Sequence, residues 1–256
     1  MLIFRSSLNP DSGDAQGKGF TLVELMVVLA IVGLLAALLF PVFARAKRAA
    51  QELGSLSNMR QMGLALAMYA ADHEGWFPTV KENLADPSMT TWVDEVQPYT
   101  KARLLRRSPL DDSPAWGDLA NPRLTSYGLN AYFDFRHPPY FGCSLDETVR
   151  PSDTVVVAEL RVRLLGSEFL VRGDHFHPQY YGNPARVANA RFQTLQWDPV
   201  RRLPRMTVFD EQTLVGPYIF ADGHAARVPW PALWRQQDGQ PPVRDRLDPR
   251  RSEDGI

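Results

Sequence analysis

The 256-residue sequence contains one cysteine, Cys143, and almost no net charge. A single cysteine excludes an intrachain disulfide framework and a cysteine-rich zinc site. The 28 basic and 29 acidic residues sum to a formal charge of −1, whereas proteins that coat nucleic acids carry a strong basic excess. These averages are those of an ordinary globular protein, so the informative features are local.

Recognisable catalytic motifs are also absent from the sequence. It contains no Gly-x-Ser-x-Gly elbow, no Gly-x-x-x-x-Gly-Lys phosphate loop, no His-Glu-x-x-His pair and no dinucleotide fingerprint. Cys143 has no recognisable partner residue, so an inert, partly buried thiol is expected there. The sequence therefore predicts a protein that is not an enzyme.

One long uncharged stretch stands out, residues 25–44, which contains no charged side chain, amide or hydroxyl. A helix of this length, rising about 1.5 Å per residue, spans about 30 Å, which matches the hydrocarbon core of a bilayer. Glu24 stands at the edge of the stretch, where an unpaired carboxylate is costly. Basic residues on the two sides do not decide the orientation by the positive-inside rule. We therefore predict a membrane-spanning or filament-core helix over residues 20–44.

The sequence GKGFTLVE at positions 17–24 precedes this stretch. It resembles the processing site of type IV prepilins and type II secretion prepseudopilins. The resemblance implies that residues 1–19 are a leader, which a prepilin peptidase removes between Gly19 and Phe20 before methylating the new amino group of Phe20. It also implies that Glu24 neutralises the amino terminus of a neighbouring subunit, and that Pro41 accompanies partial unwinding of the helix in a filament.

An amphipathic helix is predicted to continue over residues 45–75. Apolar residues at spacings of three and four predict one buried face: Leu53, Leu56, Met59, Met62, Leu66 and Tyr69. Gly75 is the expected helix stop, and Pro78 follows it. The expected weak points are residues of low helix propensity: Gly33, Pro41, Gly54 and Gly63. At Pro41 a kink or local melting is predicted, because proline removes one backbone hydrogen bond.

Residues 76–238 are predicted to form a globular α+β head, since all but two of the 21 prolines lie beyond position 75. The expected elements are a strand at 154–162 paired with 169–171, short helices at 92–99 and 231–236, and a hairpin at 218–228 with a two-residue type I′ turn at Asp222-Gly223. A mobile tail with little to bury is expected at 239–256. The predicted fold is α+β and pilin-like, with a long N-terminal hydrophobic helix whose C-terminal half packs against a small antiparallel sheet.

Several residues carry side chains that bind metals in other proteins. Two histidines on one face of a strand, His175 and His177, suggest a metal site, but no third ligand is apparent. Oxygen-rich groups suited to Ca²⁺ are Asp111-Asp112 and Asp72-His73-Glu74. Turn geometry is sufficient to explain Asp222 and His224. The sequence predicts no cofactor, with Ca²⁺ as the one candidate.

A basic cluster of Arg201, Arg202 and Arg205 lies near Trp197 and is suited to DNA phosphates. Arginine is abundant along the whole chain, so a solvated surface is the simpler interpretation. A nucleic-acid partner is not predicted.

Three internal stretches, residues 58–63, 126–130 and 220–224, also resemble a bacterial branch of pilin-like proteins with a His-x9-Asp-Gly signature. The chain departs from this branch at Gln212, where the branch has histidine. It also departs at Ser108, where a Cys-Pro-x-Asp element has cysteine. The roles of these two positions stay open.

The resemblance implies a structural subunit of a type IV pilus-like or type II secretion-like filament, anchored in the inner membrane with its head outside the cytoplasm. The implied partners are other pilin or pseudopilin subunits, the prepilin peptidase, a platform protein and an assembly ATPase. Two alternatives remain open, a minor or tip subunit acting as an adhesin or DNA-binding module, and a membrane-anchored enzyme. Neither the type of machinery nor a major or minor role follows from the sequence.

Overall fold

The computed structural model describes residues 20–80, 90–100, 106–119, 122–135, 142–160, 174–176, 215–236 and 242–250. The chain divides into two compact units, residues 1–47 and 48–256. Helix α1, Leu22–Asp72, contributes its first half to the first unit and its second half to the other.

The first half of α1 is apolar on every side. Its large apolar side chains are all exposed, and the helix is long and apolar enough to cross a membrane. Helical structure continues through Pro41, so the local melting predicted there is not present in the single chain. Proline at this position removes the hydrogen bond that would reach the carbonyl of Ala37. The Nε of Arg45 donates to the Pro41 carbonyl oxygen at 3.2 Å.

The second half of α1 buries one face against the head, as predicted. Met59, Met62 and Leu66 are at most 2% exposed, whereas Leu53 is 69% exposed. The prediction for Leu53 is wrong because six residues of α-helix rotate about 600°, which places Leu53 about 120° from Met59. Ser55 takes the buried position instead.

The end of α1 lies where the sequence predicts it. Gly75 has a φ of +81°, and its N–H donates to the carbonyl oxygen of Ala70 at 2.8 Å. Glycine tolerates this left-handed conformation without a Cβ penalty, so it closes the helix.

The head contains two short helices and seven strands in its described parts. The helices are α2, Trp92–Glu95, and α3, Trp230–Leu233. The strands are β1 (Tyr127–Asn130), β2 (Val155–Glu159), β3 (His175–Phe176), β4 (Val215–Phe220), β5 (Ala225–Pro229), β6 (Trp234–Gln236) and β7 (Pro242–Asp245). Five strands form one sheet in the order β3-β1-β2-β4-β5, and β6 pairs with β7. Only the β1–β3 pair of this sheet is parallel, so the α+β, pilin-like fold is confirmed.

Two apolar clusters cover the two faces of the sheet. The cluster between the sheet and α1 includes Met59, Met62 and Leu66 of the helix together with Trp92 and Ile219. The cluster on the other face combines Leu233 and Leu247 with residues in or next to the strands, which are Val155, Ala158, Leu160, Phe176, Tyr218 and Phe220. Strands β1, β2 and β4 are therefore buried on both faces, with α1 on one of them, whereas the edge strand β5 is partly exposed.

The predicted strand at 154–162 is present as β2, and its proposed partner at 169–171 lies outside the described residues. Residues 92–99 are helical as predicted, in α2 followed by a 3-10 turn at Gln97–Tyr99. The helix predicted at 231–236 is present only as α3, because β6 begins at Trp234.

The hairpin between β4 and β5 is present, but its predicted turn type is wrong. Gly223 N–H donates to the Phe220 carbonyl, and Phe220 N–H donates to the His224 carbonyl, each at 2.9 Å. A type I′ turn needs a positive φ at Asp222, yet within the described ranges Glu74 is the only non-glycine residue with one. The loop therefore has three residues, with Gly223 in the left-handed position at φ +87°.

The expectation of a tail with little to bury is wrong for residues 242–250. Strand β7 pairs with β6, and Leu247 is 1% exposed in the second cluster. The backbone carbonyls of Arg246 and Leu247 accept hydrogen bonds from Val155 N–H and Asn130 Nδ2, at 2.7 and 2.8 Å. One leucine and backbone pairing are enough to order a segment whose composition is otherwise charged and proline-rich.

Candidate functional site

The N-terminus of α1 is closed by a reciprocal pair of side chains, Thr21 and Glu24. Thr21 Oγ1 accepts the N–H of Glu24 at 3.2 Å, while Glu24 Oε2 accepts the N–H and the hydroxyl of Thr21 at 2.9 and 2.7 Å. This is a capping box, which satisfies backbone donors that a helix start leaves free. The Thr-x-x-Glu spacing in the sequence is the signal that could have predicted it.

The predicted site residues at this end lie along the first unit. Phe20 is 79% exposed at the start of the described chain, and Gly19 lies outside the described residues. Glu24 is the one acidic residue between Phe20 and Glu52, so its carboxylate is the only side-chain counter-charge available in that half of the helix.

A second polar site lies inside the head, on the sheet face that α1 covers. Arg123 Nε donates to Asp111 Oδ2 at 2.6 Å, and both side chains are at most 1% exposed. The hydroxyl of Ser126 donates to the same Asp111 oxygen at 2.5 Å. Ser55 of α1 donates to Glu159 of β2 at 2.8 Å. Helix, loop and strand are thus joined by buried polar contacts, and we call these five residues the polar seat.

The polar seat buries two carboxyl groups, those of Asp111 and Glu159, with one guanidinium, that of Arg123. Burial is the main cause that raises the pKa of Glu159 to about 7; Asp111 raises it further, whereas hydrogen bonds from Ser108 and Ser55 and the charge of Arg123 oppose the rise. Burial also lowers the pKa of Arg123, against the opposing effect of Asp111. A protonated Glu159 leaves one carboxylate, that of Asp111, facing one guanidinium.

The polar seat brings together stretches that stand apart in the sequence. Ser108 N–H donates to Ser126 Oγ at 2.8 Å, and the Ser108 hydroxyl accepts the N–H of Leu110 at 3.1 Å. Asn58 on α1 donates to the hydroxyl of Tyr127 at 3.4 Å. Serine at position 108 therefore has a hydrogen-bonding role. Sequence reasoning missed three residues of the polar seat, namely Ser55, Arg123 and Glu159. Their pairing depends on long-range contacts, which the sequence does not display.

A close backbone contact joins α1 to the hairpin. A Cβ added to Gly63 would overlap the carbonyl oxygen of Gly223, and one added to Gly223 would lie 2.9 Å from the Gly63 carbonyl oxygen. The two glycines therefore let the β4–β5 turn approach the helix backbone. Gly63, predicted only as a weak point of the helix, has a packing role.

Two of the predicted metal-binding residues, His175 and Asp111, have other partners in the head. His175 is buried, with Nδ1 3.0 Å from Asp174 Oδ1, and His177 lies outside the described residues. Asp111 is paired with Arg123, and Asp112 is exposed. Across the described part of the chain, no group of three histidine, cysteine, aspartate or glutamate side chains is arranged to hold a metal ion. Ca²⁺ binding stays a prediction.

Two other predicted positions fit local structure. The Asp222 carboxylate accepts the His224 N–H at 3.1 Å, and the His224 ring stacks on Phe220 with ring centres 4.4 Å apart, so the turn explains both residues. Cys143 is fully buried, and this burial raises the pKa of its thiol. Gln212 and the cluster of Trp197, Arg201, Arg202 and Arg205 lie outside the described residues.

Comparison with known proteins agrees with this architecture. A family model described as "Prokaryotic N-terminal methylation motif" matches residues 16–40. Type II secretion system core protein G of Aeromonas hydrophila is 34% identical over 102 residues, covering 40% of this chain and 68% of the relative. The Escherichia coli K12 protein of the same name is 33% identical, covering 41% and 72%. Type IV major pilin protein PilE1 of Neisseria gonorrhoeae is 29% identical, covering 42% and 50%. No solved structure matches.

The N-terminal methylation motif, the long apolar helix and the sheet behind its second half define the pilin-like class of membrane-anchored filament subunits. Within that class, the chain belongs to the family of type II secretion system core protein G. It is a structural subunit that assembles with other pilin-like subunits, as the resemblance in the junction predicts.

Proposed function

We propose that the chain is cut between Gly19 and Phe20 by a prepilin peptidase, methylated at Phe20, and assembled into a filament through a charge contact made by Glu24. The chain is held in the inner membrane with its head outside the cytoplasm until a platform protein and an assembly ATPase draw it out. It carries no catalytic site of its own.

The position of Glu24 carries this proposal. Its carboxylate lies at one end of a helix half in which every other side chain from Leu22 to Ala44 is uncharged. When such helices pack together, a buried carboxylate that lacks a cationic partner is strongly unfavourable. The new amino group of a neighbouring Phe20 supplies that cation, so correctly staggered neighbours are favoured over all others.

The capping box offers a competing role for Glu24, and two substitutions separate the roles. Glu24→Gln keeps a side chain that can cap the helix but removes the charge. We expect filament yield to fall about a hundredfold or more, since breaking a buried charge pair costs about 3–5 kcal/mol.

Thr21→Ala is the matched control, because it removes the cap and keeps the charge at a cost of about 1 kcal/mol. Its filament yield should stay within a few-fold of the unaltered chain. Equal losses in the two variants would assign Glu24 to capping alone.

Processing is tested on the same material. Mass spectrometry of sheared filaments should find chains that begin with N-methylated Phe20, and filaments built from chains that retain Met1 would contradict the proposal.

A further inference from the structure

The end of α1 borders a groove of about 550 Å³ whose walls are aromatic and acidic. Tyr69 and His73 stack with ring centres 3.8 Å apart, and Trp76 meets Phe135 edge to face at 5.8 Å. Three carboxylates complete the lining: Asp72, Glu74 and Glu95. We call this feature the acidic groove.

Among the described residues, no lysine or arginine lines the acidic groove, and no ion pair joins its carboxylates to a basic side chain. Glu95 is fixed by hydrogen bonds from the Thr79 hydroxyl and N–H at 2.7 and 3.1 Å. Asp72 and Glu74 are exposed. Carboxylates next to aromatic faces form the usual recognition site for a guanidinium or ammonium group.

The same chain carries a matching cationic segment. Arg45, Lys47 and Arg48 follow the apolar half of α1, and no acidic residue lies between Glu24 and Glu52. Arg45 and Lys47 are exposed, and neither forms an ion pair within the described parts of the chain. We call these three basic residues the basic collar.

We propose that the acidic groove of one subunit binds the basic collar of a second copy in the filament. The contact rests on the proposed function, since it exists only between assembled subunits. Subunits stacked along a filament are displaced lengthwise, so the middle of one α1 lies beside a later part of another. The groove and collar carry opposite charges, and the aromatic rings offer faces to the long side chains of Arg45 and Lys47.

Disulfide trapping tests the contact in the full-length chain, in cells that carry its assembly machinery. The variant Lys47→Cys/Glu74→Cys should give oxidised dimers in filaments at about ten times the level of a control pair. The control, Lys47→Cys/Asp112→Cys, places the second cysteine in the loop that Gln51 contacts through Pro109, about 30 Å along α1 from Asp72. Cys143 is buried and does not compete.

Charge exchange provides the second readout. Asp72→Lys/Glu74→Lys and Arg45→Glu/Lys47→Glu should each lower filament yield about tenfold, which corresponds to about 1.4 kcal/mol. Combining all four substitutions should restore yield to within a few-fold of the unaltered chain, with equal amounts of each variant in membranes.

Suppose that filaments form normally but the Lys47→Cys/Glu74→Cys variant gives no more disulfide-linked dimer than the control pair. That result would overturn the proposed contact and leave the proposed function intact. The contact would also be overturned if the variant with all four substitutions gave no higher filament yield than the poorer of the two charge-reversal variants. Failure of the unaltered chain to form filaments would overturn the proposed function, and the contact with it.

Discussion

The two halves of helix α1 share one backbone conformation and have opposite surroundings. Up to Phe43 the large apolar side chains are exposed on every side of the helix. Beyond Arg48, seven residues are buried and one face carries polar groups that meet the head. The first half is thus suited to a nonspecific apolar environment or to identical neighbours, whereas the second half fits one particular partner, the sheet.

This comparison shows where specificity lies in a filament subunit. Apolar packing is non-directional, so a uniformly apolar helix tolerates many positions in a membrane or bundle. Buried charges and close backbone contacts allow only one arrangement. In the second half the polar seat and Gly63 have that role. In the first half we propose it for a single carboxylate, that of Glu24.

The largest expected effect comes from the polar seat. Arg123→Ala leaves the Asp111 carboxylate buried without its cation, so the free energy of unfolding of the head should fall by about 3–5 kcal/mol. Urea unfolding of the full chain in detergent measures it, and the helix of the first half should keep its circular dichroism signal.

Arg106→Ala is the matched control, because Arg106 pairs with Asp94 and the two side chains are 43% and 33% exposed. Exposed ion pairs contribute about 1 kcal/mol or less, so this loss should be small. If the two variants lost similar amounts of unfolding free energy, burial would add nothing to the contribution of the Arg123–Asp111 pair.

The next effect is a pH dependence confined to the head. The folded head binds a proton at Glu159 up to about pH 7, whereas the unfolded chain releases it near the ordinary value of 4.5. Stability should therefore fall as pH rises across this window, by roughly 3 kcal/mol, because the unfolded state binds fewer protons there.

Glu159→Gln should flatten that pH profile and leave the head more stable than the unaltered chain at pH 8. Ser55→Ala keeps the carboxyl and should keep the slope, although it loses the hydrogen bond from α1. Thermal unfolding in detergent across pH 5 to 8 measures all three chains, and parallel profiles would rule out Glu159 as the titrating group.

The smallest effect separates two glycines that look equivalent in the sequence. Gly63→Ala forces a methyl group against the Gly223 carbonyl and should destabilise the head by about 1–3 kcal/mol. At Gly33, no atom of the described residues outside the helix's own backbone lies within 4 Å of the place a Cβ would take. Gly33→Ala should therefore leave the head unchanged and strengthen the helix by up to about 1 kcal/mol. Unfolding curves that do not distinguish the two variants would contradict the packing role of Gly63.

Much of the fold is predictable from local patterns. The apolar run, the Gly75 stop and the β-branched run of β2 each depend on neighbours within a few residues, where propensity and periodicity have their effect. The prediction failed for Leu53, for the turn at Asp222 and for residues 242–250. The error at Leu53 is one of helix periodicity, since helix rotation carries this residue away from the buried face. For residues 242–250 distant contacts decide, because Val155 N–H and Asn130 Nδ2 donate to the carbonyls of Arg246 and Leu247.

The sequence by itself determined the class of this protein. The junction at 17–24 and the apolar helix behind it are continuous in the chain, so their chemistry is readable without a fold. Only the tertiary structure decided which polar residues support the helix. Ser55, Asp111, Arg123 and Glu159 are separated by up to 104 positions, and a charge becomes energetically strong only when folding brings its partner close and removes water.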